Sequence, residues 1–220
     1  MSNNVDSDNN DVNDNFNRYA PRRMSARPYH HGNLRTALLE RAERTVRERG
    51  AQALSLRELA RDTGVSHGAP RRHFPDRQAL LDALAEAGFA RLGAELRRAV
   101  EDAGEAFEPR LQATAAAYVR FATHDAALLE LMFAGKHREE AGALHESAER
   151  AFAVLLELIG QGQAEGALEP GDPERVGLVL FATIQGIATL ATGGMVQAGQ
   201  VDGLVADAIA HFLRGSRAAA

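Results

Sequence analysis

The segment Ser55-Leu56-Arg57-Glu58-Leu59-Ala60-Arg61-Asp62-Thr63-Gly64-Val65-Ser66-His67-Gly68-Ala69-Pro70-Arg71-Arg72-His73-Phe74 decides how the rest of the chain is read. Ser55 followed three residues later by Glu58 is the capping-box pattern, which opens a helix by satisfying its first free amides. Leu56, Leu59 and Ala60 then fall on one face, and Gly64 supplies the left-handed residue that ends the helix. Ser66 caps a second helix, predicted to run to about Phe74. Two short helices joined by a glycine-containing turn form a helix-turn-helix pattern. Pro70 lacks the amide that would bond the Ser66 carbonyl, so the start of the second helix is expected to be irregular.

Working outward, Leu34, Leu38, Ala42, Thr45 and Val46 share one face of a helix that stops at Gly50. On the other side, Pro75-Asp76 breaks the pattern and begins a long helix carrying Leu80, Leu81, Leu84, Leu92 and Leu96. Apolar spacing predicts further helices at about 109–123, 125–134, 138–164, 173–192 and 201–214. Asp125 or a neighbour is expected to cap the second of these, and Pro173 sits in the first turn of the fourth. No run of alternating β-branched residues suggests a sheet. The chain reads as all-α with about nine helices. It divides into a tail and basic arm (1–28), a three-helix helix-turn-helix domain (29–75) and a larger helical domain for ligand binding and dimerisation (76–220).

Charge is unevenly placed. The net charge is −5, but residues 1–17 carry four Asp and no base, residues 18–77 carry fourteen Arg against six acids, and the remainder is strongly acidic. A basic block on an acidic protein implies one nucleic-acid-facing module. An architectural DNA-binding protein would be basic throughout. The Asn/Asp-rich residues 1–17 are expected to be disordered. Residues 18–28, with Arg18, Arg22, Arg23 and Arg27, form a basic arm that is either a solvated tail or, beside a helix-turn-helix, a segment reaching the adjacent minor groove.

Several classes are disfavoured. There is no cysteine, which excludes disulfides and suits a reducing, cytoplasmic location. No basic stretch followed by an apolar one suggests a secretory signal. The 26 residues between Arg175 and Asp202 carry no charge. Gln185, Gln197, Gln200 and several glycines nevertheless make a membrane span unfavourable, and a helix buried on two sides is the better reading. Gly64-Val65-Ser66-His67-Gly68 matches the nucleophile-elbow spacing, but that elbow follows a strand and here a helix precedes it. Adjacent His30 and His31 have no ligand-spaced carboxylates nearby, so capping or phosphate contact is favoured over metal binding. No catalytic residue, metal or cofactor is expected.

Tyr29-His30-His31-Gly32-Asn33-Leu34-Arg35, Leu56 to His67, and Arg72-His73-Phe74-Pro75-Asp76 closely resemble the DNA-binding domain of the tetracycline-repressor (TetR) family. Phe181-Ala182-Thr183-Ile184-Gln185-Gly186 resembles the Trp-x-x-x-His-Gly signature of one TetR subgroup, with Phe for Trp and Gln for His. The resemblance implies a homodimeric regulator that binds a palindromic double-stranded DNA operator and is released by a small effector, lipophilic or aromatic by default. Where the family usually has a phosphate-contacting Tyr, this chain has Arg71. Arginine reaches a phosphate but does not replace the ring.

The candidate DNA-binding residues are Arg27, His30, His31, Ser55, Ser66, His67, Gly68, Arg71, Arg72 and His73, with His67 the best placed for a base edge. Phe107, Tyr118, Phe121, Met132, Phe133, Phe152 and Gln185 are expected to line an effector pocket; core packing is the alternative for each. Ala182, Gly186, Thr189 and Gly193 form a small-residue stripe suited to close helix approach. With Leu204, Ala208 and Phe212 they make up the expected dimer interface.

Overall fold

A computed structural model describes residues 34–136 and 142–216. Arg27, His30 and His31 lie outside the described residues, as does the expected start of the helix at 138. The described residues form eight α-helices and three short 3-10 turns: α1 (Leu34–Arg49), α2 (Leu56–Asp62), α3 (Arg77–Asp102), α4 (Phe107–His124), α5 (Ala126–Lys136), α6 (Gly142–Ala164), α7 (Pro173–Thr192) and α8 (Val201–Gly215). No strand occurs among them.

Local chemistry sets the boundaries. Leu34, Leu38, Ala42, Thr45 and Val46 are the buried face of α1, as their spacing predicts. Ser55 caps α2 by accepting from the Glu58 amide. Gly64, at φ +70°, closes the turn after α2. Asp76 caps α3 by accepting from the Ala79 amide at 2.8 Å, and Asp172 caps α7 ahead of Pro173.

The predicted helix from Ser66 to Phe74 is corrected. This segment is a series of turns with one 3-10 turn at Pro70–Arg72. With no amide on Pro70, the Ser66 carbonyl accepts from the Ala69 amide at 2.9 Å, and the Ala69 carbonyl from Arg72 at 3.2 Å. These i→i+3 bonds tighten the backbone into 3-10 rather than α geometry.

Two cores are present. The smaller joins α1, α2 and the start of α3 around Leu38, Leu59, Phe74, Leu80 and Leu84. The larger gathers the rest of α3 with α4 to α8 around Phe89, Leu92, Tyr118, Met132 and Ile159. Helix α3 therefore runs through both, and Leu131 of α5 packs against each. Helix α7 is long and apolar enough to cross a membrane by length and composition, and 28% of its apolar 18-residue stretch is buried. It packs on α4, α6 and α8 by one side only. Leu178 and Val179 on its other side are 66% and 58% exposed. The expectation of burial on two sides is thus not met within one chain.

Candidate nucleic-acid interface and effector chamber

The basic end of the molecule is held rigidly behind its exposed side chains. Arg41 of α1 donates from Nε and Nη2 to Asp62 of α2 at 3.1 and 2.7 Å. These bonds hold the Asp62 carboxyl below the ordinary carboxylate range. Arg77 donates to the Ala51 and Leu54 carbonyls at 2.7 and 3.1 Å, tying the loop before α2 to the start of α3. Phe74 is buried in the small core, and the Arg35 guanidinium lies 5.5 Å from its ring centre.

On this frame Ser66, His67, Gly68, Arg71 and Arg72 are all exposed. Ser55 is half-buried and engaged as a cap, and His73 is half-buried with its ring 6.5 Å from that of Phe74. Exposed Arg57 and Arg61 on α2 extend the basic surface. Neither was among the residues expected to contact DNA; the uneven charge over residues 18–77 was the signal that included them.

The larger core encloses a cluster of aromatic rings. Phe89, Phe133, Phe152 and Phe181 pack with centroid separations of 5.1 to 6.3 Å, and Tyr118 lies 5.3 Å from Phe181. Beside them is an apolar cavity of about 20 Å³ bounded by Leu96, Thr114, Tyr118, Phe152 and Phe181 among others. The Tyr118 hydroxyl donates to Gln185 Oε1. Burial pushes the phenol pKa well up, so Tyr118 is a neutral donor at physiological pH.

Of the expected pocket residues, Tyr118 and Phe152 border the cavity, Phe133 joins the ring cluster and Gln185 reaches Tyr118. The others lie apart. Phe107 packs on Gly162 and Met132 fills the space over Gly88. Phe121 lies beneath the Arg91 guanidinium, 5.0 Å away. Phe89 and Phe181 belong to the cluster but were not expected there.

A cluster of charges lies between the basic end and the aromatic end. Asp125, at the junction of α4 and α5, is buried. It accepts from Arg47 Nε and Nη2 of α1 at 2.8 and 2.6 Å, and from Arg91 Nη2 of α3 at 2.7 Å. Glu43 of α1 accepts from Arg91 Nη1 at 2.5 Å and from Arg47 Nη2 at 3.1 Å. Four charged side chains from three elements thus share one bonded network. His124, next to it, is exposed.

Ala182, Gly186, Thr189, Gly193 and Leu204 are exposed, while Ala208 and Phe212 are half-buried. A Cβ added at Gly186 would meet no atom within 4 Å. Among the described residues, no group of three His, Cys, Asp or Glu is placed to hold a metal ion.

Residues 38–84 match the family described as bacterial regulatory proteins, tetR family, and residues 111–212 match the tetracyclin repressor-like C-terminal domain. A protein with unknown function from Rhodococcus sp. RHA1 is 49% identical, with a TM-score of 0.82 over 87% of this chain and 100% of that one. The chain belongs to the TetR family. As a TetR-family protein it is a DNA-binding transcriptional regulator. Two more distant structures share the fold. One is the TetR family transcriptional regulator PfmR from Thermus thermophilus, at 19% identity and TM-score 0.63 over 80% of this chain and 97% of that one. The other is E. coli NemR in its reduced form, at 21% identity and TM-score 0.66 over 84% and 98%. A comparison with curated proteins gives no match.

Proposed function

We propose that this TetR-family regulator is a cytoplasmic homodimeric repressor, released from a palindromic operator by a small lipophilic or aromatic effector. The observation that carries the reading is the connection between two unlike ends: an exposed basic surface formed by α2 and the Ser66–Phe74 turns, and an aromatic chamber, joined by the Asp125 network and by α3. Ser66, His67, Gly68, Arg71 and Arg72 present donors and positive charge toward DNA, with Arg27 of the arm and His30 and His31 just after it extending them. Phosphate contacts fix the register, and His67 supplies a base-edge contact.

Dimerisation through α7 and α8 would cover the exposed face of α7 and place two reading heads in successive major grooves, about 34–36 Å apart or somewhat more. An effector that enlarges the chamber displaces α4 and α5, whose junction carries Asp125. The displacement passes to Arg47 on α1 and Arg91 on α3. Release is then governed by the effector's differential affinity for the two arrangements.

The test is a fluorescence-anisotropy titration against the DNA upstream of the protein's own gene, with random DNA as competitor. A preference of about 10³-fold or more for one palindrome supports the reading. Binding that random DNA erases refutes it for that site and calls for a genome-wide selection.

A further inference from the structure

The described structure begins at Leu34, and it begins on the basic face. Arg35, the second residue of α1, is exposed, and its guanidinium lies over the ring of Phe74, which closes the Ser66–Phe74 turns. Whatever precedes Leu34 is therefore tethered beside Arg71 and Arg72. That face carries positive charge that its own acids leave uncompensated. Asp62 accepts from Arg41 and lies 3.5 Å from Arg61, Glu58 lies 3.9 Å from Arg61, and Asp76 is engaged as the cap of α3. Exposed Arg57, Arg71 and Arg72 make no ion pair among the described residues.

The complementary charge lies in the same chain. Asp6, Asp8, Asp11 and Asp14 sit within residues 1–17, a stretch with no base. A chain of this Asn/Asp-rich composition, which its sequence predicts to be disordered, spans on average about 25 Å over the roughly 20 residues from Asp14 to Leu34 and about 30 Å over the roughly 28 from Asp6. Helix α1, 16 residues and about 24 Å long, sets the scale of the helix-turn-helix domain, so the acidic stretch reaches its whole basic face. A tether of this length gives an effective concentration on the order of millimolar. Beyond residue 77 the protein is strongly acidic, which repels the stretch from the larger domain.

We propose that the acidic stretch from Asp6 to Asp14 docks on Arg57, Arg71 and Arg72 of its own chain, so that DNA must displace it. Four carboxylates then stand where phosphates would lie, an autoinhibitory contact that screening weakens as ionic strength rises. This rests on the reading of the face as the DNA-contacting surface. The rival partners for these carboxylates are Arg18, Arg22, Arg23 and Arg27 of the intervening arm.

The chain contains no cysteine, so Ser7→Cys in the full chain takes a single nitroxide label. In dilute salt the label is expected to broaden the backbone amide signals of Arg57, Arg71 and Arg72 in nuclear magnetic resonance spectra. The broadening should fall at about 0.5 M salt, and also on addition of a random-sequence DNA duplex. It should fall as well in the Asp6→Asn/Asp8→Asn/Asp11→Asn/Asp14→Asn variant, which keeps the tether's length. Unlabelled, that quadruple variant should bind the duplex roughly three- to tenfold more tightly than the parent in dilute salt, with the gap closing as salt rises. Broadening no greater than in the quadruple variant leaves the carboxylates on the arm or in solvent and overturns the inference, as does an unchanged duplex affinity. If the duplex still shifts the three amides, the reading of the face stands while the inference falls. If the duplex leaves them unshifted, DNA binds elsewhere and both fall.

Discussion

Substituting Asp125 by alanine takes one carboxylate out of the network that joins α1 and α3 to the α4–α5 junction. The Asp125 side chain is 6% exposed and accepts three bonds from two arginines. Removing one partner of a fully buried ion pair costs about 3–5 kcal/mol. Here Arg47 and Arg91 are 41% and 33% exposed, so water rehydrates them once the carboxylate is gone. Glu43 also keeps its bonds to both. The expected loss is accordingly about half the buried value, roughly 2 kcal/mol for Asp125→Ala. Asp125→Asn, which keeps one acceptor, should lose roughly 1 kcal/mol. Urea unfolding followed by far-UV circular dichroism measures this, at one protein concentration because a dimer's apparent stability depends on it. The midpoint should fall with the slope unchanged. A double-mutant cycle of Asp125→Asn with Arg47→Gln should show a coupling of about 1 kcal/mol. An Asp125→Ala variant within about 0.5 kcal/mol of the parent, or an additive cycle, would refute the argument.

Other outcomes follow from individual contacts. Arg41 holds Asp62 below the usual carboxylate range, so that pair stabilises the fold fully above the unfolded value of about 3.9 and less as pH falls through the lower folded value. The urea-midpoint gap between the parent and Asp62→Asn should be constant near neutrality and close in acid; a gap that widens in acid would contradict the pairing. A Cβ at Gly186 meets no atom within 4 Å and the position is exposed, so Gly186→Leu should fold normally yet run as a monomer in light scattering, and a dimer with normal DNA affinity would put the interface elsewhere. A Cβ at Gly162 would sit 2.5 Å from the Phe107 ring, so Gly162→Ala should lower stability by about 1–3 kcal/mol in the same urea assay. A neutral result there would mean that the ring has room to retreat.

What the sequence made legible was local. The buried face of α1, the cap at Ser55, the start of α3 after Pro75-Asp76 and the start of α7 at Pro173 each depend on residues a few positions apart. Pro70 announced an irregular start, but the local rule did not say that the rest of the segment would follow it into 3-10 geometry. The Asp125 network was invisible for a different reason. Its arginines lie 78 and 34 residues away, and the only local sign was a possible helix cap. Phe89 and Phe181 likewise meet the other rings only through the packing of α3 to α7. Hydropathy marked α7 as apolar all round. It does not distinguish a face covered by the same chain from one left for a partner.

Helix α3 contains 26 residues without a break and is anchored in both cores. At 1.5 Å per residue it is about 39 Å long. Treated as a lever pivoting at its Asp102 end, it converts a tilt of about 5° into a swing of about 3 Å at the other end. One base-pair step rises about 3.4 Å. A paired molecule would apply such a swing twice, in opposite senses, so a small angular error at the chamber becomes a misfit of nearly two base steps between half-sites. Bringing the operator back into register would then need the levers' angle restored, with no rebuilding of either reading head.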